Sequence, residues 1–248
     1  MKISVITAVR NNRDTVAQAL DSLLAQTHRD VELIVIDGAS TDGTLNVLAR
    51  YATRLAVLVS EDDHGIYDAL NKGLRRATGD VIGFLHADDL LADNEVLSRV
   101  ASCFAETGAD GVYGDLVYVS KFQPDRIIRN WRSKAFAPGL LANGWMPPHP
   151  TLYLKRTVYE QYGLFDTSYR IAADYDFMLR VLREPGLRFV YLPRLLVRMR
   201  VGGASNRSLA NLWKKSCEDL RALKHNRIGG IWSLLCKNFS KLPQFFQR

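Results

Sequence analysis

The chain has 248 residues, of which 47% are hydrophobic and 24% charged, a composition typical of a globular protein with one large or two small domains. No apolar run approaches the ~18 residues that a membrane-spanning helix requires. The three cysteines, Cys103, Cys217 and Cys236, are widely spaced without a metal-ligand pattern, which indicates reduced thiols. We therefore expect a cytoplasmic protein, soluble or peripheral to the membrane.

The net charge of +7 is concentrated at the carboxyl end. Residues 194–248 hold 12 Lys or Arg against two acids, a local charge of +10, so residues 1–193 carry −3. A mildly acidic body with a basic tail favours a local basic surface over a nucleic-acid groove through the fold. We expect no nucleic-acid partner.

Strand and helix patterns alternate four times in about ninety residues. In chain order, the sequence predicts a strand at 3–9, a helix capped by Asn12 or Asp14, a strand at 31–36, a helix at 45–51, a strand at 55–59, a helix at 65–77 and a strand at 81–85. This alternation is typical of a parallel sheet with right-handed crossovers.

Acidic residues follow three of these strands. Asp37 ends the second strand, residues 61–63 follow the third, and Asp88 and Asp89 follow the fourth. Since parallel strands share one polarity, these acids line one crevice, where open α/β sheets bind ligands. Their repulsion requires a cation or a donor-rich ligand to offset it, and carboxylates suit Mg²⁺ or Mn²⁺. Capping of the next helix is the alternative for each acid taken alone.

Two phosphate-binding motifs are absent from the sequence. The turn at residues 10–12 has no Gly-x-Gly-x-x-Gly, and the chain has no Gly-x-x-x-x-Gly-Lys-Ser/Thr. A dinucleotide-binding Rossmann site and a P-loop NTPase are therefore excluded.

Three longer motifs resemble a known family. They are Asp37-Gly-Ala-Ser-Thr-Asp-Gly-Thr, Gly65-Ile-Tyr-Asp-Ala-Leu-Asn-Lys-Gly and Ala77-Thr-Gly-Asp-Val-Ile-Gly-Phe-Leu-His-Ala-Asp-Asp. In this order they resemble family 2 glycosyltransferases, over roughly residues 1–200. The resemblance implies an α/β GT-A fold, with a mostly parallel sheet flanked by helices. It also implies a nucleotide-binding half at 1–110 and an acceptor-binding half at 111–200.

The resemblance further implies roles for individual residues. The acid matching Asp37 holds the nucleobase, usually uracil, and Asp88 handles the ribose. The donor-binding residues expected are Thr7, Val9, Asn11, Asp37, Ser40, Asp68, Lys72 and Asp88. The family's metal motif, often Asp-x-Asp, has His86 at its first position here, so we expect Mg²⁺ or Mn²⁺ to be held by Asp89 and His149.

A predicted helix that opens near residue 171 carries two acids in its first turn. The segment resembles the family's Glu-Asp-x-Asp-x-x-Leu-Arg stretch, with Ala173 in place of Glu and Asp174 matching the catalytic base. Capping by Asp174 or Asp176 is the alternative. Asp115, on a predicted strand at 111–119, is either a residue near the sugar or a solvated strand-end acid.

Residues 201–248 are predicted to form a basic amphipathic helical tail. The apolar stripe over 208–224 and the later Trp232, Phe245 and Phe246 alternate with Lys and Arg, which suits an anionic membrane interface. Packing back on the domain is the alternative for the first of these helices. We expect peripheral attachment to the inner face of the cytoplasmic membrane.

The sequence thus predicts an inverting, metal-dependent glycosyltransferase of surface polysaccharide synthesis. It would move a sugar from a nucleotide-diphosphate sugar, a UDP-sugar by resemblance, to a saccharide or polyprenyl-linked acceptor. Asp174 would take the acceptor's proton, and a metal at Asp89 and His149 would stabilise the departing diphosphate. Two alternatives are a nucleotidyltransferase, whose usual Gly-rich basic loop is missing, and a non-catalytic membrane-associated nucleotide-binding protein, in which the acids would be lost.

Overall fold

The computed structural model describes residues 1–202 and 209–239. Its strands are β1 (Ile3–Val9), β2 (Val31–Asp37), β3 (Val57–Ser60), β4 (Val81–Phe84), β5 (Leu90–Leu91), β6 (Gly111–Val119), β7 (Ile127–Trp131), β8 (Tyr153–Lys155) and β9 (Phe189–Arg200). Its helices are α1 (Val16–Leu24), α2 (Thr44–Leu48), α3 (Ile66–Leu74), α4 (Val96–Thr107), α5 (Gly139–Ala142), α6 (Arg156–Tyr162), α7 (Ala173–Leu182), α8 (Leu209–His225) and α9 (Ile231–Phe239).

The strands of the described residues form one sheet in the order β3-β2-β1-β4-β8-β6-β9-β5, with β7 paired to β6. Strands β1 to β4 are mutually parallel, as predicted, whereas β8 runs antiparallel to both β4 and β6. One core packs α1 and α4 on one face of the sheet, and a second packs α3, α6, α7 and α8 on the other. The predicted α/β class is confirmed.

Some element boundaries differ from the prediction. The helix expected at 45–51 ends as α2 at Leu48 and continues as a 3₁₀ turn over Ala49–Arg54. That turn has no buried residue, so no packing favours continuation of the α-helix there. The third strand starts two residues later than expected, at Val57.

The two carboxyl-terminal helices pack on the domain in their described part. Ala222 and Leu223 of α8 are fully buried in the core that contains α7. Lys237 of α9 forms a buried ion pair of 2.8 Å with Asp219 of α8. Helix α8 therefore packs on the domain, which was the alternative given for the first tail helix. No helix within residues 1–202 and 209–239 is long and apolar enough to cross a membrane.

Three further expectations stay predictions. Phe245 and Phe246 lie outside the described residues. The domain boundaries at residues 110 and 200 are likewise predictions, although the sheet itself continues from β4 through β8 to β6.

Candidate active site

Hydrogen bonds join the loop after β1 to the loop after β2 at the carboxyl edge of the sheet. Asn11 and Ala39 have positive φ angles of 50° and 52°, in the left-handed region that non-glycine residues seldom occupy. The amide of Asn11 donates to Ser40 Oγ at 2.8 Å, and the amide of Thr41 donates to Asn11 Oδ1 at 2.8 Å. Backbone strain held by surrounding contacts is typical of ligand-binding loops.

Asp37 is fully buried and bound by donors of the protein itself. It accepts hydrogen bonds from the amide and hydroxyl of Ser40, at 3.0 and 2.5 Å, and from the hydroxyl of Ser60 at 2.7 Å. The carbonyl of Val9 accepts the amide of Gly38 at 2.9 Å. Asp37 therefore fixes the loop that follows it, and its contact with a nucleobase stays a prediction.

Asp68 and Lys72 belong to an ion-pair network between α3 and the acids that follow β3. Lys72 Nζ lies 3.4 Å from Asp68 Oδ2 and 3.1 Å from Glu61 Oε1, and it donates to the carbonyl of Asp62 at 2.6 Å. Burial opposes the charged form, but the Glu61 hydrogen bond and the Asp68 charge outweigh it and raise the pKa of Lys72. This network neutralises part of the repulsion expected among the strand-end acids.

Asp88 and Asp89 point into different surroundings. Asp89 is 1% exposed, and its Oδ1 accepts the backbone amide of Arg200 at 3.0 Å, while its Oδ2 is buried without a partner. Burial and the Asp88 charge raise the pKa of Asp89 well above its usual range. Asp88 is partly exposed. Asp88 is therefore the more accessible of the two carboxylates, and Asp89 as a metal ligand stays a prediction.

The different surroundings of Asp88 and Asp89 follow from the pairing of β5. Its two residues, Leu90 and Leu91, pair with Arg198 and Val197 of β9. This pairing places the preceding Asp89 beside β9, where its Oδ1 accepts the Arg200 amide, whereas Asp88 is partly exposed.

Asp174 lies in the first turn of α7 beside a histidine and a tyrosine. Its Oδ2 is 3.6 Å from His149 Nδ1, and its Oδ1 is 2.9 Å from the hydroxyl of Tyr67. The same hydroxyl is 2.7 Å from the carbonyl of Ile171. The side chain of Asp174 is 23% exposed, so it is held in place and remains accessible.

His149 is buried and uncharged at neutral pH. Burial lowers its pKa to about 4, the Asp174 charge opposes this, and the nearby His86 lowers it further. The ring centroids of His86 and His149 are 5.9 Å apart. His149 Nε2 is buried and has no hydrogen-bond partner. Burial lowers the pKa of His86, and the charges of Asp88 and Asp174 oppose this lowering.

Two other acids near the crevice are used inside the fold. Asp176 is buried and bound to Arg180 and Asn226, both at 2.8 Å. Asp115 accepts the amide of Ser133 at 2.7 Å and the hydroxyl of Tyr191 at 2.8 Å. Of the two acids in the first turn of α7, Asp174 is therefore the accessible one.

The residues present fit a divalent cation bound mainly through its substrate. The described residues contain no group of three or more His, Cys, Asp and Glu that could hold a metal by itself. Mg²⁺ and Mn²⁺ are often held by one or two side chains together with substrate phosphate oxygens. The unpartnered His149 Nε2 and the partly exposed Asp88 are suitable ligands for such a site.

The chain is similar in sequence to known glycosyltransferases. A family model described as Glycosyl transferase family 2 matches residues 4–174. Two relatives, each a PGL/p-HBAD biosynthesis glycosyltransferase, come from Mycobacterium bovis and Mycobacterium tuberculosis. Each is 32% identical over 215 residues, which is 82% of this chain and 78% of the relative.

Solved structures match the fold. S. aureus TarS superposes with a TM-score of 0.71 at 19% identity, over 97% of this chain and 44% of that longer chain. TarS 1–349 in complex with UDP-GlcNAc gives 0.71 at 18% identity, over 99% of this chain and 78% of that one. A mannosyltransferase from Pyrobaculum calidifontis, in complex with GDP-Man and Mn²⁺, gives 0.67 at 22% identity, over 98% and 70%. These matches confirm the predicted GT-A fold.

Proposed function

The chain is a member of glycosyl transferase family 2, and from this premise we propose that it transfers a sugar, with inversion, from a UDP-sugar to an acceptor hydroxyl. The observation that carries the proposal is the accessible carboxylate of Asp174 beside the neutral His149. Asp176, two residues along the same helix, is already paired with Arg180 and is unavailable for proton transfer.

Asp174 acts as the general base. Its carboxylate takes the proton of the acceptor hydroxyl as the oxygen attacks the anomeric carbon, and the bond from that carbon to the diphosphate breaks. Attack from the face opposite the diphosphate inverts the anomeric configuration. Tyr67 donates a hydrogen bond to Asp174 Oδ1 at 2.9 Å, which helps to hold the carboxylate in place.

The donor occupies the carboxyl edge of the sheet. The loop fixed by Asp37 and Ser40 lies beside the nucleoside, and Asp88 lies toward the diphosphate. TarS binds UDP and UDP-GlcNAc in its solved complexes, which supports a uridine donor by analogy of fold. Asp88 and His149 would hold a divalent cation, which would supply charge neutralisation for the departing diphosphate. The Mn²⁺ in the mannosyltransferase complex supports this metal dependence.

The acceptor is a saccharide or polyprenyl-linked saccharide of surface polysaccharide synthesis, reached at an anionic membrane surface. Helix α9 supports this partner because it buries polar side chains and exposes apolar ones. Ser233 and Lys237 are buried, whereas Ile231 and Trp232 are 67% and 71% exposed. After Asp219 the chain has no acidic residue, and the exposed Arg227 precedes Ile231 by four residues in the sequence. Apolar and cationic groups together match an anionic lipid surface.

Substitution of the two acids of α7 tests the catalytic proposal. Asp174→Asn should lower turnover by about 10²–10⁴-fold, with the dissociation constant of UDP-sugar unchanged in calorimetry. The matched control, Asp176→Asn, should lower the melting temperature and leave turnover per folded molecule within about tenfold. Equal losses in turnover for the two variants, or a larger loss for Asp176→Asn, would show that Asp174 is not the base.

The released product separates this activity from that of a nucleotidyltransferase. We expect nucleoside diphosphate to accumulate in step with glycosylated acceptor. Release of pyrophosphate instead would favour the nucleotidyltransferase.

Vesicle binding tests the membrane partner. The full chain should sediment with anionic vesicles at low salt and be released at 1 M salt, where the Debye length falls to about 3 Å. Trp232→Ser should weaken the binding, whereas Phe122→Ser, at an exposed aromatic residue far along the chain from α9, should not. No sedimentation at either salt concentration would rule out the membrane partner.

A further inference from the structure

A carboxylate of α8 binds the segment that leads into α7. Glu218 Oε2 accepts the backbone amides of Ile171 at 2.8 Å, of Ala172 at 3.0 Å and of Arg170 at 3.1 Å, and its Oε1 accepts the Arg170 amide at 3.1 Å. Three successive amides that converge on one anion form a concave anion site of the kind called a nest. Glu218 lies 44 residues beyond the end of the family-matched segment at residue 174.

The same segment holds the proposed base. Ile171, whose amide binds Glu218, accepts the Tyr67 hydroxyl through its carbonyl at 2.7 Å. That hydroxyl is also 2.9 Å from Asp174 Oδ1. A continuous path of hydrogen bonds therefore runs from Glu218 through the peptide units of Ile171 to Tyr67 and Asp174.

Helix α8 provides a rigid support for this carboxylate. Leu223 is fully buried against the core that contains α7, and Asn226 donates to Asp176 at 2.8 Å. Arg221 donates to Ser168 Oγ at 2.8 Å, just before the segment that Glu218 binds. These contacts, all on the carboxyl-terminal side of Glu218, hold the helix against the domain and limit the movement of Glu218 relative to residues 170–172.

We propose that Glu218 is a positioning residue for Asp174, so that α8 completes the active site. The inference depends on the proposed function, because it assumes that Asp174 is the base. Glu218 itself touches neither donor nor acceptor. It fixes the Ile171 carbonyl, which fixes the Tyr67 hydroxyl, which orients the Asp174 carboxylate for proton transfer.

The first test is the split between turnover and donor binding. Glu218→Ala should lower kcat on the order of 10- to 100-fold, the range expected when a catalytic group moves by about 1 Å. The UDP-sugar dissociation constant should stay within twofold. Glu218→Gln retains one acceptor oxygen for the amides and should recover part of kcat, and it gives a readout if the alanine variant folds poorly. Glu160→Ala removes an exposed helix carboxylate from α6 and should change neither quantity.

A double-mutant cycle with Tyr67→Phe distinguishes positioning from a general loss of stability. Residues that act on one path give non-additive effects. The double variant should therefore have a kcat close to that of the worse single variant. If the two fold-losses multiply, or if Glu218→Gln and Glu218→Ala both keep the full kcat, Glu218 does not position the base.

Asp174→Asn separates this failure from a failure of the proposed function. If Asp174→Asn is inactive while the Glu218 variants are fully active, only the positioning role is wrong. If Asp174→Asn keeps its transfer activity, the base assignment fails and the positioning role fails with it.

Discussion

The two edges of the central sheet differ in how fully their buried polar atoms are hydrogen-bonded by the protein. At the amino edge, the buried carboxylate of Glu32 accepts hydrogen bonds from Lys2 Nζ at 2.7 Å, from Ser4 Oγ at 2.5 Å, and from the amide and hydroxyl of Thr78 at 2.8 and 2.7 Å. These bonds join β1, β2 and the turn before β4. Every lone-pair direction of that carboxylate is used by the protein.

At the carboxyl edge, the buried carboxylate of Asp37 accepts three such hydrogen bonds, but other buried polar atoms have no partner. Thr7 Oγ1 and His149 Nε2 are buried and accept or donate no hydrogen bond. An unmade hydrogen bond costs about 1–3 kcal/mol, and most buried polar groups avoid that cost. The amino edge is therefore built for stability, while the carboxyl edge leaves groups available to a ligand, at some cost in stability.

The largest expected effect is on metal-dependent donor binding at the carboxyl edge, and it concerns Asp88. Asp88→Asn should weaken Mn²⁺-dependent binding of UDP-sugar by about 100-fold, because a neutral amide is a poor ligand for a hard cation. Calorimetry with and without Mn²⁺ measures the change.

Asp89→Asn is the matched control. Burial already raises the pKa of Asp89, and asparagine offers the same oxygen to the Arg200 amide. Its donor affinity should therefore stay within about threefold of the wild type. A larger loss of Mn²⁺-dependent affinity for Asp89→Asn than for Asp88→Asn would restore Asp89 as the metal ligand.

The second largest expected effect is on stability, and it concerns Glu32 at the amino edge. Burial opposes ionisation of Glu32, but the hydrogen bonds from Lys2, Ser4 and Thr78 lower its pKa from 4.5 to about 2. A depressed folded-state pKa stabilises the protein above the unfolded value, and this stabilisation is lost as the pH falls from about 4.5 to 2. Glu32→Gln should lower the free energy of unfolding by about 2 kcal/mol at pH 7 and by roughly half as much at pH 3.

Urea unfolding at the two pH values checks this prediction, with the exposed Glu106→Gln as the control. Turnover per folded molecule should not change in either variant. A loss of turnover in Glu32→Gln at constant stability would mean that the two edges are not separate in function.

The sequence predicted the parts of the fold that depend on local pattern. Apolar runs fix β1, β2 and β4, and acids that follow parallel strands must share an edge, so the crevice follows from periodicity and polarity alone. The helix predicted at 45–51 ends at Leu48 and continues as a 3₁₀ turn, because apolar spacing does not report whether a face finds a partner.

The parts that the sequence could not predict depend on contacts between distant residues. The direction of Asp89 depends on Arg200, 111 residues away, through the pairing of β5 with β9. Glu218 reaches Arg170 across 48 residues. Tyr67 lies within a motif that was identified from the sequence. Its hydrogen bond to Asp174, 107 residues away, could not be predicted from that motif because it depends on the fold.

The smallest predicted effect compares two hydroxyl groups on β1, one near each edge. Ser4 Oγ donates to Glu32 and accepts the amide of Gly79 at 2.9 Å, so Ser4→Ala should cost about 1–2 kcal/mol of stability and leave donor affinity unchanged. Thr7 Oγ1 has no partner, so Thr7→Val, which keeps the side-chain shape, should leave stability equal or slightly higher. If the donor completes the hydrogen bond of Thr7, the same variant should bind UDP-sugar about three- to tenfold more weakly, as one lost hydrogen bond predicts. Unfolding and calorimetry on both variants measure the two quantities, and a destabilised Thr7→Val with normal donor affinity would place Thr7 among the structural groups of the sheet.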